Sequence, residues 1–385
     1  MLIVVDENMP LVDALFSPLG EVVRKPGRQL ATSDVRNADV LLVRSVTRVS
    51  RELLAGSQVR FVGTATIGTD HIDLAAIQEL GITLASAPGC NARAVAEYVL
   101  TCLYLLAEEQ GWAPQSRTVG VVGLGNVGRQ VAGLLMTAGF HVSGCDPLLA
   151  ESPVPGVELR SLDELIGSCD VLALHTPLTR TGPHSTFHLL NGERLQRLRA
   201  DQILLNAGRG EVIDNIALLS RLIAGDAPTV ILDVWEGEPR VLPALLERVR
   251  LGSPHVAGYS QEGKWRGTAM VQEAYCRFAG IRPAITLSSL DLPKGPVLEC
   301  PQANTLSSLL ARLTGQLCDV ARDDAALRAS MAEADPVLAF DRLRRDYPPR
   351  FEFSSCAIKG PLRPEWRGAL LALGFSLSEI DEFSV

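Results

Sequence analysis

Three short motifs carry side chains able to move a proton and hold an anion. They are Asn206-Ala207-Gly208-Arg209-Gly210, Asp233-Val234-Trp235-Glu236-Gly237-Glu238 and Pro254-His255. Each closes a strand-like run, so an arginine, a carboxylate and a histidine arrive together at strand ends. A forked, permanently charged guanidinium at Arg209 suits a substrate carboxylate. Histidine ordinarily titrates at about pH 6.5, so His255 is a residue type that can take a hydroxyl proton and return it. A carboxylate such as Glu238 on the other ring nitrogen would fix the tautomer and stabilise the imidazolium. Moving a hydride at a carbon that bears a hydroxyl beside a carboxylate needs these three groups and a nicotinamide cofactor.

A place for that cofactor lies upstream. Gly123-Leu124-Gly125-Asn126-Val127-Gly128 follows the apolar run 118–122 and opens a helix over 129–138. Gly123 permits the tight turn, Gly125 lets backbone approach a pyrophosphate, and Gly128 lets helix pack on strand. Unpaired N–H groups at the helix start, Asn126 and Val127 among them, would face the anion. A second strand ends in Asp146, eighteen residues after Gly128. Its carboxylate would accept hydrogen bonds from the adenosine ribose and repel a 2′-phosphate. Pro147-Leu148-Leu149 supplies no arginine to receive one, so NAD is expected over NADP.

The elements that must position these groups alternate as βα units. Strand-like runs at 2–6, 40–44, 61–65 and 83–87 precede an amphipathic helix over 91–109, which Gly111 and Pro114 end. A second series runs through 118–123, 141–146, 171–176, 202–207, 230–235 and 249–256, as a doubly wound dinucleotide domain requires. After about Pro283 the pattern changes to a proline-rich stretch and then helical runs at 304–320, 323–333 and 336–345. The expected fold class is α/β: two doubly wound parallel-sheet domains and a smaller C-terminal α+β domain. Residues 1–95 and 256–285 would form a discontinuous substrate-binding domain and 96–255 the nucleotide domain. Residues 286–385 would form the C-terminal domain, closing in a folded apolar segment at 366–383.

Taken together, GLGNVG, His175-Thr176-Pro177-Leu178-Thr179, NAGRG with Asp214, DVWEGEP and Pro254-His255 resemble the D-isomer-specific 2-hydroxyacid dehydrogenases. Pro88-Gly89-Cys90-Asn91-Ala92 and Val95-Ala96-Glu97 match that family's interdomain helix. The resemblance spans roughly residues 1–285. It implies that Arg209 binds the substrate carboxylate and carbonyl, His255 is the acid/base, and Glu238 orients it. It also implies cofactor contacts at Thr176, Ala207, Gly208, Arg209, Asp233 and Gly258, and an active site in a cleft between the first two domains. Val43-Arg44-Ser45-Val46-Thr47-Arg48, the stretch from Ala65 to Asp73, and the stretch from Gly258 to Lys264 narrow the likeness. They point to members that oxidise a small phosphorylated 2-hydroxy acid and dimerise through a C-terminal domain. Ser45, Thr66 and Tyr259 would then contact substrate and Arg44 its phosphate; Arg48 and Lys264 receive no role.

Two other readings are weighed. A phosphoglycerate dehydrogenase shares the first 285 residues' pattern, but its longer forms end in a regulatory βαββαβ module that is not found after Pro283. NAD(H)-sensing corepressor scaffolds retain the triad, but they trail a disordered Pro/Ser-rich tail, whereas 366–383 is apolar. The 385 residues carry 36 Lys+Arg against 44 Asp+Glu, a net charge of −8, which excludes a broad nucleic-acid surface or a polybasic membrane anchor. No signal peptide or 18-residue apolar run is found. Eight cysteines lacking Cys-x-x-Cys spacing predict neither a metal site nor a disulfide framework, hence a cytoplasmic protein. His71, His141, His175, His184 and His188 are read as structural.

Overall fold

In the computed structural model, residues 1–378 are described; of the expected C-terminal segment, 379–383 lies outside them. The chain divides into two compact units, 1–91 with 260–293 and 92–259 with 294 onward.

The first unit is built on a five-stranded parallel sheet: β1 (Leu2–Asp6), β2 (Glu21–Lys25), β3 (Val40–Val43), β4 (Phe61–Thr64) and β5 (Thr83–Ala85), in the order β2-β1-β3-β4-β5. All four residues of β3 are buried, as expected where both faces of a parallel sheet are covered. One face carries Val5, Leu42 and Phe61 against Val271 and Tyr275 of the helix Gln261–Ala279. The other packs Val4, Leu41 and Val43 on Leu54 and Ile77.

The second unit holds a seven-stranded parallel sheet: β6 (Thr118–Val122), β7 (His141–Cys145), β8 (Glu158–Leu159), β9 (Val171–Leu174), β10 (Ile203–Asn206), β11 (Thr229–Leu232) and β12 (Leu251–Gly252). Its order, β12-β11-β10-β9-β6-β7-β8, reverses between β6 and β9, which opens a ligand crevice at the carboxyl ends of those strands. Six strands were expected; β8, two residues long, is the seventh. The helix Ala92–Gln110 is buried on nearly every side, with Val99, Leu103 and Leu106 in one core with Val121, Val131 and Leu135.

The C-terminal segment adds a three-stranded parallel sheet of β13 (Val297–Glu299), β14 (Ala357–Lys359) and β15 (Ser376–Leu377), with helices Leu306–Leu317, Val320–Ser330 and Pro336–Arg345. Leu306, Leu309, Leu310, Leu313 and Leu317 look from sequence like a surface awaiting a second chain. Their partner instead lies within the same chain. Leu309, Leu310 and Leu313 are at most 2% exposed and join the core of the 92–110 helix, with Leu306 and Leu317 packed at its margin. Among the described residues, no helix is long and apolar enough to cross a membrane.

Candidate active site

Parallel pairing decides where the chemistry can gather. Val122 pairs with Leu174, Leu174 with Asn206, Asn206 with Leu232, and Leu232 with Gly252, so these strands end in register. The glycine loop after β6, His175-Thr176 after β9, the 206–210 loop after β10, the acidic run after β11 and Pro254-His255 after β12 therefore share one edge of one sheet.

At that edge His255 Nδ1 lies 2.5 Å from Glu238 Oε1, and the other Glu238 oxygen accepts from the Trp235 backbone N–H at 3.2 Å. Burial pushes the Glu238 carboxyl upward, but the His255 ring and then Arg344 outweigh it, so the group stays below the usual carboxylate range. With Nδ1 engaged, Nε2 is the ring atom left for a substrate hydroxyl. His255 sits at φ +58°, in the left-handed region that a non-glycine residue adopts only when its surroundings impose it.

Asp233 is what imposes it. Its carboxylate, 1% exposed, accepts from Ser253 Oγ (2.6 Å), Val256 N (2.8 Å) and Ala257 N (3.1 Å), while its carbonyl accepts from His255 N (2.8 Å). The Trp235 indole donates to the Ser253 carbonyl, and Tyr98 pairs with Ser253 Oγ at 2.7 Å. Expected from sequence as a cofactor contact, Asp233 is in this fold the clamp on the histidine loop. Neither Ser253 nor Tyr98 was anticipated, because nothing in their local pattern marks them.

Arg209 is placed by its neighbours. Buried Asn206 accepts from Gly208 N (3.0 Å) and donates to the Arg209 carbonyl (2.9 Å), while the guanidinium donates to the Gly208 carbonyl (2.9 Å). At Gly210 a Cβ would lie 2.0 Å from the Trp235 carbonyl carbon, so only glycine lets this loop seat against the DVWEGE segment. His188 joins the same junction: its Nε2 lies 2.7 Å from Glu236 Oε1, with Asp214 Oδ2 3.7 Å from Nδ1. Glu236 Oε2 accepts from Asn215 N, which ties the acidic run to the start of the helix Asn215–Ile223.

The nucleotide loop fits a dinucleotide. Gly123 lies at φ +87°, Gly125 has nothing within 4 Å of where a Cβ would stand, and Gly128 would meet the Gly123 carbonyl at 1.8 Å. Helix Asn126–Thr137 begins inside the fingerprint, with Asn126 and Val127 as its first residues. Asp146 accepts from Leu124 N (3.0 Å) and Leu148 N (3.1 Å), so it also ties the glycine loop to β7. Thr176 Oγ1 and both ring nitrogens of His175 are buried without a hydrogen-bond partner among the described residues, which is what groups awaiting a polar ligand look like. Burial lowers the His175 pKa to about 3 and keeps the ring neutral. Ala207, Gly208 and Gly258 lie half-buried on the loops after β10 and β12.

Tyr259, half-buried, follows Gly258, and its ring meets Tyr347 edge-on at 5.7 Å. In the first unit, half-buried Arg44 and exposed Ser45 follow β3, and Thr66 follows β4. The Thr66 hydroxyl donates to the Gly68 carbonyl and pairs with Thr64, which also meets His71 Nε2 at 3.0 Å.

Comparison with known proteins agrees with this arrangement. Residues 104–257 match the NAD-binding domain of the D-isomer-specific 2-hydroxyacid dehydrogenases, and 292–374 match a family described only as a domain of unknown function. An erythronate-4-phosphate dehydrogenase of Marinobacter nauticus is 50% identical over 98% of this chain and all of its own length. One from Pseudomonas putida is 48% identical over 93% of this chain and 95% of its own. Among solved structures, a Thermus thermophilus protein shares 28% identity and a TM-score of 0.62, covering 74% of this chain and 99% of that one. The fold, the NAD-binding domain and near full-length identity place this chain in the NAD-dependent D-isomer-specific 2-hydroxyacid dehydrogenase family.

Proposed function

We propose that this enzyme oxidises 4-phospho-D-erythronate to 3-hydroxy-2-oxo-4-phosphooxybutanoate, a step of pyridoxal 5′-phosphate biosynthesis. The observation that carries the chemistry is the 2.5 Å His255–Glu238 pair on the same sheet edge as the nucleotide loop. The name of the near full-length relatives carries the substrate. Arg209 holds the substrate carboxylate and carbonyl, and His255 Nε2 takes the C2 hydroxyl proton. Glu238 fixes the tautomer and stabilises the imidazolium. NAD, when bound, accepts the hydride; Gly123 to Gly128, Asp146, Thr176, Ala207, Gly208, Arg209, Asp233 and Gly258 are the residues to hold it. Ser45, Thr66 and Tyr259 contact substrate, and Arg44 meets the phosphate.

The reading extends to a cytoplasmic homodimer that uses residues 286–385. Eight free cysteines support the compartment. With the 306–317 leucines already packed within the chain, exposed Val297, Leu338 and Leu371 are apolar positions open to a self-contact.

NADH absorbance with 4-phospho-D-erythronate, erythronate and D-3-phosphoglycerate tests the substrate. The phosphorylated four-carbon acid should be preferred. Arg44→Ala should cut kcat/KM for it by roughly 10- to 100-fold, the value of a hydrogen bond to a charged group, and spare erythronate. Equal turnover of phosphorylated and unphosphorylated acids would discard the substrate and leave the family standing.

A further inference from the structure

Two polar networks run beside residues proposed to touch the ligands. In one, Arg350, 4% exposed, donates to the Ala257 carbonyl at 2.6 Å and to the Ala94 carbonyl at 2.8 Å, so its charge is spent on the fold. The other lies in the first unit and has a lone pair left over. Thr66 Oγ1 donates to the Gly68 carbonyl at 3.0 Å and pairs with Thr64 Oγ1 at 2.8 Å, and Thr64 Oγ1 in turn meets His71 Nε2 at 3.0 Å. Thr64 is fully buried at the end of β4, whereas Thr66 is half-buried and keeps surface for a ligand. The loop that holds them is anchored: Val49 N donates to the His71 carbonyl and Ala87 N to the Thr66 carbonyl, both at 2.9 Å.

The direction of this chain is decided at its Gly68 end. A carbonyl oxygen only accepts, so it takes the one proton of the Thr66 hydroxyl. Thr66 then meets Thr64 as the acceptor and takes the one proton of Thr64. Thr64 has only lone pairs left to offer His71, so Nε2 of that ring carries a proton. We infer that His71, Thr64 and the Gly68 carbonyl form a one-way relay that leaves the Thr66 hydroxyl a pure hydrogen-bond acceptor toward substrate, and so a specificity element for a free hydroxyl next to the reacting carbon. His71 and Thr64 are its positioning residues.

The inference rests on the substrate contact proposed above for Thr66. A hydroxyl whose proton is spent presents a lone pair, which repels carboxylate and phosphate oxygens and pairs only with a donor. In 4-phospho-D-erythronate the carboxylate is assigned to Arg209, the phosphate to Arg44 and the C2 hydroxyl to His255. The C3 hydroxyl is the donor that remains. D-3-phosphoglycerate has a C2 hydroxyl and no second one, so it leaves the Thr66 lone pair unmatched, and a site built around a substrate hydroxyl discriminates against an analogue that lacks it.

Two measurements on the full-length protein test this. Nitrogen-15 NMR of histidine-labelled enzyme without ligands, at a pH where the ring signals no longer change, reads the tautomer directly, and the His71 signal is identified by its loss in His71→Leu. Nε2 should carry the proton in wild type and in Thr64→Ser, and Thr64→Val should release that preference. An unprotonated Nε2 in wild type overturns the relay.

The second measurement is the ratio of kcat/KM for 4-phospho-D-erythronate to that for 2-hydroxy-4-phosphobutanoate, which lacks only the C3 hydroxyl. The ratio should be roughly 10- to 100-fold in wild type, the value of one matched hydrogen bond in a site that otherwise holds an unpaired polar group, and should collapse toward one in Thr66→Val. Thr64→Val and His71→Leu should each lower it several-fold, and Thr64→Ser should keep it. A purely structural role would slow both substrates alike, so an unmoved ratio in folded Thr64→Val, or a wild-type ratio near one, overturns the inference. Erythronate and 2,4-dihydroxybutanoate give the same comparison without the phosphate. If only the unphosphorylated pair is turned over, the substrate assignment fails, and that pair together with the tautomer still decides the role of Thr66.

Discussion

Replacing Asp233 by asparagine separates a loop clamp from a cofactor contact. The aspartate carboxylate accepts from Ser253 Oγ, Val256 N and Ala257 N through one oxygen and from Ala257 N again through the other. Asparagine can keep its carbonyl oxygen toward the first three donors, but its NH2 then faces the Ala257 N–H. Losing the charge weakens three bonds by about 1 kcal/mol each, and the opposed donors cost about 1 kcal/mol more. Relief of carboxylate burial returns about a third of that sum, leaving about 2–3 kcal/mol. For a unit of this size the melting temperature should fall by roughly 5–10 °C. The histidine loop should also drift, and a displacement near 1 Å at a proton-transfer residue costs on the order of 100-fold in kcat. Differential scanning fluorimetry, steady-state kinetics and NADH titration read the three quantities. A normal melting temperature and kcat alongside a large loss of NADH affinity would refute the clamp and leave Asp233 as a cofactor contact alone.

Asp146→Ala should weaken NADH binding and narrow the preference over NADPH, because it removes both the repulsion of a 2′-phosphate and the Leu124 N–H bond; an unchanged ratio in paired NADH and NADPH titrations would place Asp146 away from the ribose. Thr176→Val should leave the melting temperature within about 1 °C, since the hydroxyl has no partner among the described residues, while NADH affinity falls several-fold; an unchanged affinity by fluorescence titration would remove Thr176 from the nucleotide site. Glu97, 2% exposed, has its pKa raised to about 7 because burial outweighs the Arg93 guanidinium 2.6 Å away. Its folded-state value lies above the unfolded one, so its contribution to stability is full below about pH 4.5 and is lost as pH rises through 7. Urea denaturation should show wild type losing up to about 3 kcal/mol between pH 5 and 8 relative to Glu97→Gln, which keeps the bonds from Arg93 and Phe353; parallel curves would mean the carboxyl is ionised throughout.

The nucleotide sheet and its edge were legible because their signals are local. Apolar runs mark β6, β9, β10 and β11, GLGNVG marks the turn, and parallel strands must end on one side. The C-terminal sheet was not legible, since strands of two or three residues such as Val297–Glu299 and Ser376–Leu377 carry no usable alternation. The stripe of leucines at 306–317 is visible in sequence, but a stripe says only that a face is covered, not by which chain. Ser253 was missed for a related reason. Its partner Tyr98 is far away in sequence, and a lone serine in a strand-end pattern looks like solvated surface. Asp233 was found with a role suggested by family likeness; its bonds to Ser253, Val256 and Ala257 are a tertiary fact.

Arg350 has a consequence for how the enzyme comes into being. A guanidinium this deeply buried, bonded to carbonyls at Ala94 and Ala257, joins a chain position near the end to one in the first third and one just past His255. As the polypeptide leaves the ribosome, every residue of the proposed catalytic triad is already outside long before Arg350 is made. Until then the carbonyls of Ala94 and Ala257 lack the buried guanidinium and the 92–110 helix lacks its last cover, so the nascent chain carries the proposed reactive groups without the brace that fixes them. A message cut short after residue 330 would yield a protein with the triad and the nucleotide fingerprint intact and little or no dehydrogenase activity.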